Sequence, residues 1–331
     1  MLLGVAYHYV ARERPSSPTA IHPITLDDFA VQLDLLGRDF DFVSRDDLLA
    51  ALDGSRLPAR GCVITFDDGL RRQVELALPI LEQRGIPAIF FVSSQPLTDR
   101  RVAYVHKVHL LREQLGDDEL RTLLRAELEA RGLDPARLER ARPPEMYPYD
   151  PPEAAALKYL LNFVLGPTDT APVDAVFARS FDEAAVCREL YAGADDIREL
   201  EARGALGAHG DRHIPLARLG PEAARDDLAR SAAALTEVVG RPVRTMSYPY
   251  GTADAVDQGV AAAAAASGFR LAFTMERAVN ASLDEPLLLA RLDTNDAPGG
   301  RRACIDVSAG TMHVEHPVTN GRRRYLVESA A

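Results

Sequence analysis

Two adjacent carboxylates, Asp67 and Asp68, stand between the apolar run Val63-Ile64-Thr65-Phe66 and Gly69. Like charges at the end of a buried strand raise one another's free energy unless a cation or hydrogen-bond donors offset them. A helix N-cap would use one aspartate and leave the other without a partner. A second stretch, His209-Gly210-Asp211-Arg212-His213, sets two imidazoles four apart after a short apolar segment. That spacing lets both rings reach one point in space. Two neutral imidazoles plus a carboxylate make a three-ligand set with open positions, the donor chemistry of a catalytic divalent metal. Taken alone, in a chain with 8 histidines, the pair reads more simply as a solvated surface turn.

Groups so far apart in sequence need a frame that brings them together. Leu2 to Tyr7 is a short apolar run ending at His8, a first strand. Thr25 caps a helix carrying Phe29, Leu33 and Leu36 on one stripe, and Ser44 caps a second over 45–52 with Asp47 three residues on. Strands follow at 40–43, 62–66 and 88–92, with a helix over 74–84 closed by Gly85. After an interruption the rhythm returns: strands at 205–208, 245–248, 271–274 and 287–292, helices over 222–239 and 255–267. Strands alternating with amphipathic helices predict βα units and a mainly parallel sheet. Ligand groups in such sheets gather at the carboxyl ends of the strands, where His8, Asp67 and Asp68 all fall. The interruption, residues 97 to about 190, is helical in pattern, is broken by the proline-rich PPEMYPYDPPE and reads as an insertion. The chain, 1–331, is expected to be one domain with a polar tail from about 300.

The totals bound the chemistry. With 331 residues, 47% of them hydrophobic, the chain can bury a sizeable core. A net charge of −11 argues against nucleic acid or anionic lipid as partner. The best basic cluster, Arg322-Arg323-Arg324, reads as a solvated tail. Cys62, Cys187 and Cys304 are far apart and odd in number, which fits a reducing compartment. The first residues, MLLGVAYHYV, show neither a signal peptide nor a membrane span, so a cytoplasmic location is expected. The sequence leaves a homo-oligomer open.

Thr65-Phe66-Asp67-Asp68-Gly69, then HGDRHIP at 209–215, then Ser247-Tyr248-Pro249-Tyr250-Gly251 resemble, in that order, the motifs of the NodB-homology polysaccharide deacetylases, carbohydrate esterase family 4. The resemblance implies an α/β fold, a distorted (β/α)7-8 barrel, and a metal-dependent N-deacetylase. Carried over, Asp68, His209 and His213 hold the metal, most often zinc, with cobalt, nickel, manganese or iron as options, and Asp67 is the base. The backbone N–H of Tyr250 helps to hold the oxyanion. His8 protonates the leaving amine, as in members that are circularly permuted; His313 and His316 are the C-terminal alternatives. Two departures stand out: Gly210 replaces the family's serine, and Ser247 stands where an arginine is usual. Arg291, at the end of a late strand, is the candidate replacement for that cation. Asp293 or Asp296 could orient a histidine, although Asp296 reads more simply as a solvated loop charge. Tyr248, Pro249 and Asp293 are the candidate substrate contacts. His106 and His109, three apart on a helix of the insertion, have no evident carboxylate partner and read as a polar helix edge. The MYPYD stretch at 146–150 is a candidate lid or a loop. The expected substrate is a small N-acetylated amino sugar, with a non-sugar amide on the same fold, or an inactive carbohydrate-binding protein, as alternatives.

Overall fold

Strands β1 (Leu2–Tyr7) and β5 (Gly61–Phe66) are buried at all six positions each. Strands apolar on both faces are those of a parallel sheet covered on both sides. In the computed structural model the two pair in parallel, from Leu2 opposite Gly61 to Tyr7 opposite Phe66. The structure describes all residues except 15–20, 140–146, 148–149, 168, 302, 304, 307–312 and 315–331.

Two short strands, β2 (Val10–Ala11) and β3 (Ile24–Thr25), pair with each other outside the main sheet. The main sheet adds β4 (Asp41–Phe42), β6 (Ala88–Val92), β7 (Leu206–Ala208), β8 (Thr245–Ser247), β9 (Leu271–Phe273) and β10 (Leu292–Asp293). Its order is β10-β1-β5-β6-β7-β8-β9. Strand β4 pairs with the first residues of β5 and β6 with the last, so the two share one edge at different heights. Every pairing in this sheet is parallel. The segment before β10 runs along β9, with Leu289 bridged to Phe273, and then joins β1 through Leu292 and Asp293. The sheet thereby curls towards closure, and the expected distorted (β/α) barrel is the fold observed.

Helices α1 (Leu26–Asp39) and α2 (Arg45–Leu52) start where their caps predict. Thr25 accepts from the Asp28 N–H, and Ser44 and Asp47 form a reciprocal capping box. The helix after β5 opens with a π turn over 73–77 before α3 (Leu78–Arg84), which ends at left-handed Gly85. Between β6 and β7 the chain is helical: α4 (Gln95–Thr98), α5 (Tyr104–Leu115), α6 (Asp117–Ala130), α7 (Pro152–Tyr159) continued by a π turn to Leu165, α8 (Ala171–Ser180), α9 (Glu183–Leu190) and α10 (Ala194–Ala202). Most of these pack on one another around Leu120, Leu124, Leu157, Leu161, Val176 and Phe177, a hydrophobic cluster separate from that of the barrel. Helices α11 (Pro221–Val239) and α12 (Gln258–Ala266) complete the βα units. Among the described residues no helix is long and apolar enough to cross a membrane. Of the tail, 305–306 and 313–314 form a short antiparallel pair, so the backbone of His313 is described; His316 and Arg322-Arg323-Arg324 lie outside the described residues.

Candidate active site

The N–H of Asp67 still bonds across to Tyr7, at 2.9 Å, so the aspartate pair leaves the sheet where β1 and β5 end. Asp68 (φ 79°) and Gly69 (φ 67°) then turn the chain through left-handed backbone. A Cβ on Gly69 would lie 3.0 Å from Val92, which leaves room for glycine alone. The turn sends the two carboxylates to different partners. Gln73, fully buried, fixes the corner: its amide donates to the carbonyls of Asp67 (2.6 Å) and His8 (2.8 Å). Sequence reasoning missed Gln73, whose only signal is a polar side chain one turn past the motif.

Asp67 meets Arg291. The guanidinium of Arg291 is fully buried and donates to both carboxylate oxygens, at 2.7 and 2.8 Å. It also donates to Thr65 Oγ1 (2.9 Å) and to the Thr274 carbonyl (3.1 Å), and it lies against the rings of both Phe91 and Phe273. A bidentate fork of this kind is the strong form of the carboxylate pair. Burial would push Asp67 up; Arg291 and then His209 outweigh it and hold the carboxyl at about 2. The structure thus puts a cation on Asp67 from a strand that is remote in sequence. Ser247, in the place of the family's arginine, instead links two site residues: its hydroxyl donates to Asp67 Oδ1 (2.9 Å) and lies 2.7 Å from His209 Nδ1.

Asp68 meets the histidines. His209 Nε2 and His213 Nε2 stand 3.4 and 3.1 Å from Asp68 Oδ1. These donor atoms all lie within 4.8 Å of one another, and all three residues are buried. Burial would raise the Asp68 carboxyl; the neighbouring histidines, His106 first, hold it well below the usual range. His209 Nδ1 faces the Ser247 carbonyl at 3.0 Å, which places its hydrogen there and leaves Nε2 bare. Among the described residues, Asp68 Oδ1 is buried with no hydrogen-bond partner. An orphaned carboxylate oxygen faced by two imidazole nitrogens is a donor set that a divalent metal fits. The loop that carries the histidines is held by Asp227, which accepts from the Asp211 N–H (2.8 Å) and from Arg212 (3.0 Å). Gly210 (φ 68°) also explains its departure from the family serine, because a Cβ there would lie 3.2 Å from both Asp227 and Pro249.

The remaining candidates divide. His8 lies on the rim, its Nε2 3.8 Å from Asp67 Oδ2. Tyr250 takes left-handed backbone (φ 61°), as does His213 (φ 53°), and its ring packs edge-on against His213 at 5.0 Å. Asp68, His213 and Tyr250 are thus three non-glycine residues in a strained region, gathered at one cavity. Asp293 lines that cavity too. Tyr248 does not: it is fully buried between the sheet and its helices, and its hydroxyl donates to the Leu287 carbonyl. Pro249 packs under Gly210, away from the lining. Neither lines the cavity: Ser247 faces Asp67, so alternation along the strand end turns Tyr248 to the opposite, helix-covered face. Asp296 is no solvated charge; it is buried and paired with Arg277. His106 is no exposed helix edge either. It is 1% exposed, and its Nε2 lies 3.2 Å from Asp68 Oδ2. From the MYPYD stretch, Tyr147 and Asp150 line the cavity, while 146, 148 and 149 lie outside the described residues.

The cavity has a volume of about 300 Å³. His8, Asp67, Asp68, His209, His213 and Tyr250 form one side, and the insertion supplies Val105, His109, Tyr147, Asp150, Lys158 and Asn162.

The sequence matches the polysaccharide deacetylase family over residues 54–144 and 167–272. No curated protein sequence matches it. Among solved structures, the chain is similar to IcaB from Ammonifex degensii (21% identity, 90% of this chain and 94% of that one, TM-score 0.53). It is similar also to the Streptococcus pyogenes deacetylase PplD in complex with acetate (15%, 88% and 91%, 0.53). A third likeness is to a de-N-acetylase from Aggregatibacter actinomycetemcomitans (16%, 88% and 94%, 0.53). At these identities the structures speak for the fold, and the family match speaks for the chemistry. That match spans more than half of the chain and contains all three motifs in order, so the chain belongs to the NodB-type polysaccharide deacetylase family, hydrolases of the N-acetyl amide bond.

Proposed function

We propose that this chain is a metal-dependent N-deacetylase of a small N-acetylated amino sugar, releasing acetate and a free amine. The observation that carries the reading is the orphaned Asp68 Oδ1, buried between His209 and His213 on the wall of a cavity that also holds Asp67. Asp68, His209 and His213 would hold the metal, zinc first, which polarises an amide carbonyl and acidifies water when bound. Asp67 receives the proton from the attacking water. Held low by Arg291, it stays ionised and open to a proton from water that a metal at Asp68 would acidify. Ser247 and Arg291 fix its direction, so the proton is taken at one place. His8, on the rim near Asp67, gives a proton to the departing nitrogen. The Tyr250 N–H, presented by left-handed backbone, holds the carbonyl oxygen as it gains charge.

Cavity size supports a small substrate. About 300 Å³, walled by the helical insertion, suits a single sugar ring with its acetamide better than a bound polymer. The sparse, separated cysteines support a cytoplasmic site of action.

The test is acetate release from N-acetylated free sugars, nucleotide sugars, short oligomers and non-sugar amides, by zinc-loaded enzyme beside its Asp67→Asn variant. The expected result is release from a small amino sugar that falls at least about a hundredfold in the variant. Amine formation from a ureide or formamide, with acetate released from no amino sugar, would overturn the sugar assignment. Release unchanged in Asp67→Asn would overturn the base.

A further inference from the structure

The helical insertion reaches the site through a chain of hydrogen bonds that ends on Asp68. Tyr191, just after α9, is buried, and its hydroxyl oxygen accepts the Ala103 N–H at 2.9 Å. The same hydroxyl lies 2.5 Å from His106 Nδ1. Burial first, with the nearby charge of Asp68, holds the Tyr191 phenol well above its usual range, so it keeps its hydrogen. Among the described residues that hydrogen has one acceptor, His106 Nδ1. A ring nitrogen that accepts carries no hydrogen, so the hydrogen of neutral His106 sits on Nε2. That nitrogen lies 3.2 Å from Asp68 Oδ2. Tyr191 is itself tied to the aspartate turn: it bridges Leu70, and the next residue, Ala192, donates to the Gly69 carbonyl at 3.0 Å.

We propose that His106 is a positioning residue for Asp68, held as a donor by Tyr191, so that Oδ2 is occupied and Oδ1 alone is presented to the metal with His209 and His213. The inference rests on the metal reading above. With its hydrogen on Nε2, His106 has no lone pair for a cation and stays outside the ligand set. The insertion therefore orients a ligand that the barrel supplies, an outer contact of the kind that tunes metal affinity.

The test is zinc affinity of the metal-free protein, measured by competition with a chromophoric chelator, with the cobalt absorption spectrum as a second readout. His106→Gln places an amide N–H near the position of Nε2; His106→Leu has no donor; Tyr191→Phe frees the tautomer. Circular dichroism first establishes that each metal-free variant is folded. His106→Leu is expected to bind zinc about 10–100-fold more weakly, Tyr191→Phe to weaken binding less, and His106→Gln to stay near the wild type with the same cobalt spectrum. Wild-type affinity in His106→Leu would overturn the proposal. Weak binding and an altered cobalt spectrum in His106→Gln would overturn it in favour of His106 as a ligand. If His106→Leu does not fold, His106→Gln and Tyr191→Phe still decide: unchanged affinity in Tyr191→Phe would remove the relay. No zinc in the wild type would overturn the metal reading, and this inference with it.

Discussion

Asp67 and Arg291 form a fully buried ion pair from opposite ends of the barrel sequence. Each carries a charge that the interior tolerates only because of the other. Removing one partner of such a pair costs about 3–5 kcal/mol, whereas removing both is often far milder. Urea unfolding of metal-free Asp67→Asn, Arg291→Met and the double variant should therefore be non-additive, with the double variant more stable than Arg291→Met alone. Additive losses would show that the two side chains are not coupled. The fork also explains why Ser247 can stand where the family's arginine is usual: the cation arrives from Arg291, just before β10, and the freed position serves to join His209 to Asp67.

The insertion is an element with two faces. One side packs within its own hydrophobic cluster, and α5 turns His106 and His109 towards the barrel. His109 Nδ1 lies 3.1 Å from the Tyr9 hydroxyl, and burial first, then the proximity of His106, lowers its pKa well below 6.5. The unfolded chain protonates His109 near pH 6.5, while the folded chain resists until much lower. Between those values the unfolded state binds more protons, so this histidine withdraws stability as pH falls below about 6.5. Melting temperatures of the metal-free protein from pH 8 to pH 5 should fall more steeply for the wild type than for His109→Gln. Parallel curves would mean that His109 titrates alike in both states.

At the scale of the molecule, the site joins β5 to the loop after β7, two parts of the barrel that pair only through β6. A metal held by Asp68, His209 and His213, as proposed, would bind the folded chain and have no preformed site in the unfolded one. Zinc at a hundredfold its dissociation constant should add about 2.7 kcal/mol of stability. Thermal scans should show a rise of a few degrees in the wild type, and none in Asp68→Asn. An equal rise in both would place the zinc elsewhere.

Much of this was legible before any coordinate. The βα rhythm and the caps at Thr25 and Ser44 are local, set by side-chain period and by hydrogen bonds a few residues long, and they appear where periodicity places them. The motif around Asp67, His209 and Tyr250 is recognisable because a left-handed turn, a ligand pair and a tight corner each demand fixed residue types. What sequence could not decide was contact across the fold. Arg291 could be named as a candidate from its place after a late apolar run, but its bidentate contact with Asp67 exists only because β10 lies beside β1. Tyr248, read as a substrate contact, packs against the helices because the strand's alternation turns it away from the face that Ser247 presents to Asp67. His106 and Tyr191, 85 residues apart, meet only because the insertion folds back on the aspartate turn. Residue types and their short-range order determined the fold and the reactive set; long-range packing alone decided which charge faces which, since the free energy of a buried pair depends on distances that no stretch of sequence contains.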